Sequence, residues 1–114
     1  MKERDDKVYL EDIIESIGHI EEFTHKISEK DFITNLLIQD AVIRRLEIIG
    51  EAATKVSLKL KNDNKHIKWS LMKNMRNKLI HEYFGVSPAT IYNTVKQDLP
   101  EVKQQIKLLL KSLK

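Results

Sequence analysis

The segment Arg76-Asn77-Lys78-Leu79-Ile80-His81-Glu82-Tyr83 sets an arginine, a histidine and a tyrosine at i, i+5 and i+7, with a polar asparagine directly after the arginine. A guanidinium that stays charged and an imidazole that titrates near neutrality can act together on a phosphodiester without a metal. The first stabilises charge on phosphoryl oxygens and the second moves a proton. At about 100° per residue, Arg76 falls among Met72, Leu79, Ile80 and Tyr83 on the apolar face of a helix that starts near Trp69. His81 lies about 140° round that helix and about 7.5 Å further along its axis. Either the helix distorts near His81 or the site is assembled from two chains, a two-fold dimer supplying two arginines and two histidines to one cleft.

An arginine on an apolar face is costly unless paired. The preceding long helix offers Asp40, Glu47 and Glu51 as ion-pair or cleft partners, with Arg44 beside them. From position alone Arg76 has two roles open, an internal ion pair or a phosphate contact. Tyr83, about 20° from Arg76 on the wheel, reads on its own as a core-edge aromatic whose hydroxyl finds a partner. His19, His25 and His66 read as surface or capping residues. No HExxH, GxGxxG, P-loop or GxSxG pattern occurs, and neither a metal nor a cofactor is expected.

The elements that must carry this segment are helical. Val8, Ile13, Ile14, Ile17, Ile20 and Phe23 recur at helical spacing and predict a helix over 8–24. Capping chemistry breaks the chain at Ser28-Glu29-Lys30-Asp31. A long helix over about 33–60 carries a heptad seam, Val42, Leu46, Ile49, Ala53, Val56 and Leu60, beside a second strip, Leu37, Ala41, Ile48 and Ala52. Two strips mean burial on two sides, against its own bundle or against a second subunit. Gly50, Ala52 and Ala53 let another helix come close. A polar loop over 62–66 precedes the third helix, 69–82. Ser87-Pro88 opens a fourth, 88–98, and Pro100 a fifth with the stripe Val102, Ile106, Leu109 and Leu113. The expected fold is all-α, an antiparallel bundle of about five helices forming one domain over 1–114.

Composition agrees. The 114 residues are 41% hydrophobic and 32% charged, with three glycines and two prolines, which suits a helical bundle better than a sheet. The absence of cysteine excludes disulfides and thiolate metal sites. No run reaches transmembrane length, the charged start is unlike a signal peptide, and the expected compartment is the cytoplasm with no membrane partner. The net charge of +3 is uneven: residues 1–54 hold seven Lys/Arg against thirteen Asp/Glu, whereas 55–78 hold eight against Asp63 alone. A positive field next to the arginine motif favours a polyanion such as RNA. Taken alone, a lysine run is more often a solvated face.

The spacing Arg76-x4-His81-x-Tyr83 resembles the RX4HXY motif of the HepT toxins, a branch of the HEPN (higher eukaryotes and prokaryotes nucleotide-binding) superfamily. Other blocks in order are similar too: Tyr9-Leu10-Glu11-Asp12-Ile13, the run from Gln39 to Ala52, Tyr83-Phe84-Gly85-Val86, and an Asp98-Leu99-Pro100 turn. Arg45 departs from the pattern, standing where relatives often carry asparagine. The resemblance implies a homodimeric bundle and a metal-independent endoribonuclease with Arg76 and His81 catalytic and Asn77 in support. It also implies a toxin–antitoxin pairing, in which a cognate minimal nucleotidyltransferase antitoxin silences the toxin by adding AMP to Tyr83. The alternative is a non-catalytic helical subunit that binds a nucleotide or a nucleotidyltransferase.

Overall fold

The computed structural model describes residues 5–82 and 85–113, and these are helical with no strand among them. Helix α1 runs Asp6–Thr24, α2 Glu29–Ile33, α3 Leu36–Lys55, α4 Leu58–Asp63, α5 Trp69–His81, α6 Pro88–Asn93 and α7 Leu99–Ser112. Side-chain caps set most of the starts. Asp5, Ser28, Asn35, Ser57 and Ser87 each accept a hydrogen bond from a backbone N–H three residues on, which satisfies a donor the helix cannot. No helix among the described residues is long and apolar enough to cross a membrane.

Three expectations are corrected. The capping expected at Ser28 is present, but it opens a short helix, α2, that the sequence did not show, and its Phe32 is fully buried against the Tyr92 ring at 5.5 Å. The Tyr92 hydroxyl donates to the Ile27 carbonyl at 2.9 Å, so α6 closes over this plug. The long helix does not run from 33 to 60. It starts at Leu36 and stops at Val56, whose extended backbone turns the chain into α4 and takes Leu60 off the seam. The cause is polar: the Asp6 carboxylate accepts from the Ser57 backbone N–H at 2.8 Å and from its hydroxyl at 2.6 Å, while Ser57 caps α4. The third correction concerns Asp98-Leu99-Pro100, which is no turn. Residues Thr94–Asp98 form a π-helical turn that joins α6 to α7 as one rod, and the Leu99 N–H donates to the Thr94 carbonyl. Pro100 lacks an N–H and crowds the carbonyl one turn back, and the wider turn makes room for it.

Helix α3 is the axis of the bundle, with α1 packed on one side and α5 on another, and α7 backs α1. Leu10, Ile13, Ile17 and Ile20 of α1 are fully buried, as are Val42 of α3 and Val102 and Ile106 of α7. Each such side chain contributes roughly 1.5–3 kcal/mol by leaving water. The seam of α3 is buried from Val42 to Val56. The second strip is not covered along its length, because Leu37 is 80% exposed while Ala52 is buried.

Candidate active site

The site begins with a glycine. A Cβ built on Gly50 would overlap the Arg76 Cβ and lie 2.7 Å from the Met72 carbonyl oxygen, so α5 reaches α3 only because position 50 has no side chain. That approach sets the stem of Arg76 against α3 and aims its guanidinium along the surface of that helix. There Nη2 donates to Glu51 Oε1 at 2.6 Å and Nη1 donates to Asn77 Oδ1 at 2.7 Å. The Arg76 Nε is buried with no acceptor among the described residues. Of the three acids that sequence offered, Glu51 is the one on Arg76. Glu47 pairs with Arg44 at 3.7 Å, and Asp40 lies exposed on the same helix outside the cleft lining.

Around the guanidinium lies an open cleft of about 400 Å³, lined by Tyr9 and Asp12 of α1, Arg44, Glu47, Ile48, Glu51 and Lys55 of α3, and Arg76 and Ile80 of α5. It mixes apolar surface with three cations, Arg44, Lys55 and Arg76, and three carboxylates, Asp12, Glu47 and Glu51. Its formal charge is therefore balanced. Glu51 and Asn77 each take one N–H of a different terminal nitrogen, so the second N–H on each remains for a phosphate oxygen.

His81 does not join this cleft. It is exposed, at the last residue of α5, and α5 stays a regular helix to that point. Of the two arrangements left open above, distortion of the helix is not the one observed. Tyr83 lies outside the described residues. Arg45 is half-buried and does not line the cleft, so its departure from the family pattern leaves the charge there unchanged. Sequence reasoning missed Tyr9, Asp12, Lys55 and Ile80 as cleft residues. The signal was present for two of them, since Tyr9 to Ile13 was singled out as a block.

Fold and cleft together define an all-α domain that presents a clamped, half-buried arginine where α5 meets α3 at Gly50. Residues 13–109 match the family described as Ribonuclease HepT-like, and the chain belongs to that family. A Thermococcus cleftensis protein named "Probable ribonuclease HepT" is 47% identical over 108 residues, covering 95% of this chain and 98% of its own length. A Methanocaldococcus jannaschii protein named "Gamma-glutamylcyclotransferase and putative RNase" is 43% identical over 110 residues, 96% of this chain. The chain spans 50% of that relative's length. No solved structure matches it.

Proposed function

We propose that residues 1–114 act as one HEPN-like helical domain, a cytoplasmic, metal-independent endoribonuclease that works as a homodimer and serves as the toxin of a type II-like toxin–antitoxin pair. The observation that carries this reading is Arg76, clamped by Glu51 and Asn77 at the edge of an open cleft in a chain of the HepT-like ribonuclease family. In the reaction, the RNA 2′-hydroxyl oxygen attacks the adjacent phosphorus and the P–O5′ bond breaks. A 2′,3′-cyclic phosphate and a 5′-hydroxyl remain. Arg76 stabilises the charge that builds on the phosphoryl oxygens, and His81 moves a proton between the 2′-oxygen, the 5′-oxygen and solvent. Since His81 stands outside the cleft of its own chain, the dimer brings it to the cleft from the partner.

Control rests on Tyr83. A nucleotidyltransferase antitoxin transfers AMP from ATP to the tyrosine hydroxyl and releases pyrophosphate. The added phosphodiester and base would screen the positive charge near Arg76 and exclude substrate. One observation favours a second reading. The exposure of His81 away from the cleft also fits a non-catalytic subunit that uses Arg76 for phosphate contact alone.

Incubation with single-stranded RNA in EDTA decides between them. Wild type should produce cyclic-phosphate ends, and His81→Ala should lose about 10²–10⁴-fold in rate while still binding RNA. Cleavage that stops with chelator and returns with magnesium, or that survives His81→Ala unchanged, would contradict the mechanism.

A further inference from the structure

The charge-balanced cleft leaves the positive charge of this chain elsewhere. Lys59, Lys61, Lys65 and Lys73 lie on α4, on the turn after it and on the first turns of α5. Among the described residues none of the four has an ion-pair partner, whereas Lys68 is spent on Glu101 at 2.8 Å. Lys61 is half-buried and donates to the Thr54 carbonyl at 3.4 Å, and its ammonium is held below the ordinary lysine value first by burial and then by the nearby charge of Lys73, with the Asp6 carboxylate opposing. Lys59, Lys65 and Lys73 are exposed close by, and a cluster of like charges on one surface attracts a polyanion. Beside them runs a shallow groove of about 480 Å³ that includes Lys61, Lys65, Asn62, His66 and Leu58. Leu58 is 73% exposed there, an apolar side chain with no internal role.

This surface is rigidly mounted. The Trp69 indole donates to the Asn64 carbonyl at 3.0 Å, Gln105 of α7 donates to the His66 carbonyl at 3.1 Å, and Asp6 holds the α3–α4 turn. Lys55, the last residue of α3, lines the Arg76 cleft and leads through that turn to α4. The lysines are thus continuous with the cleft edge.

We propose that α4, the turn that follows it and the start of α5 form a second RNA-binding surface outside the Arg76 cleft, where lysine ammonium groups hold phosphates of the strand that is cut at the cleft and Leu58 and His66 give a base an apolar rest. This rests on RNA being the ligand, as in the nuclease reading. It supplies the net attraction that the cleft lacks. The lysines read phosphates and not bases, so the surface sets substrate length and salt sensitivity and leaves sequence preference to the cleft.

The test is binding of a single-stranded RNA blocked by 2′-O-methyl groups, followed across salt concentrations for wild type and for the Lys59→Gln/Lys65→Gln/Lys73→Gln variant. At about 0.7 per phosphate contact on a single strand, the slope of log K against log salt should fall by about 2. The triple Lys→Arg variant should keep it, and a dinucleotide too short to reach α4 should be cleaved at the wild-type rate by both. The single variants Lys59→Gln and Lys65→Gln, each lowering the slope by about 0.7, give the same answer if the triple variant fails to fold. A wild type that binds the blocked RNA steeply but cuts no RNA would sink the nuclease reading and leave this surface standing. A wild type that cuts RNA, with a lysine variant of equal slope, would overturn the surface and leave the nuclease. Absence of RNA binding by wild type would overturn both.

Discussion

Arg76 is held for direction more than for stability. Its partner Glu51 is half exposed, and an ion pair in such a place contributes at most about 1 kcal/mol after solvent screening. What the pair does is fix a planar fork whose two terminal nitrogens, at the cleft, each keep a second N–H for a ligand. Arg76→Lys keeps the charge and loses the fork, because one ammonium cannot replace two directed contacts to Glu51 and Asn77. Single-turnover cleavage should fall by about 10²-fold or more, while urea unfolding shifts by no more than about 1 kcal/mol. A lysine variant as active as wild type would show that the fork has no part in the reaction. Tyr83→Phe removes only a hydroxyl, so cleavage should persist while AMP incorporation from ATP by the cognate nucleotidyltransferase disappears. Mass spectrometry reads this directly, and AMP on the phenylalanine variant as readily as on wild type would refute the assignment. Sequence showed Arg76 on an apolar face and named its three candidate acids. It could not choose Glu51, since that choice depends on how closely α5 meets α3.

That closeness belongs to the scale of the helix pair. Gly50→Ala adds a methyl where the Arg76 Cβ and the Met72 carbonyl already stand. Better helix propensity offers about 1 kcal/mol in return, and overpacking costs about 1–3. Chemical denaturation should therefore show net destabilisation, and cleavage should fall further than stability does because Arg76 is pushed off its mark. An alanine variant of full activity would mean that the α3–α5 spacing does not position the site. The same elements show where sequence is legible. Heptad spacing from Val42 to Val56 placed α3, and Ser87-Pro88 placed α6, because caps and apolar periodicity are local. The stop at Val56 was not visible, because the group that enforces it, Asp6, lies 51 residues from Ser57. Pro100 read as a helix start. The π turn that absorbs it inside a continuous rod is a backbone adjustment with little trace in residue pattern. Asp12 and Tyr9 stood in a block that sequence singled out, but only the packing of α1 on α3 brings them to the cleft.

At the scale of the molecule, the proposed function asks one chain to supply half of a reactive centre. Arg76 sits in the cleft, His81 is exposed beyond it, and Ile80 between them is 49% exposed on the cleft wall. A second copy laid across α5 by a two-fold axis would cover that isoleucine and bring its own histidine to the arginine. The central claim, a ribonuclease site shared between two chains, is tested most directly by heterodimers. Arg76→Gln and His81→Ala chains are co-expressed with different tags, isolated through both tags and incubated with RNA in EDTA. Each homodimer should be inactive. The heterodimer retains a wild-type arginine from one chain and a wild-type histidine from the other, so it should recover cleavage with cyclic-phosphate ends. A heterodimer as inactive as its two parents would contradict the shared site.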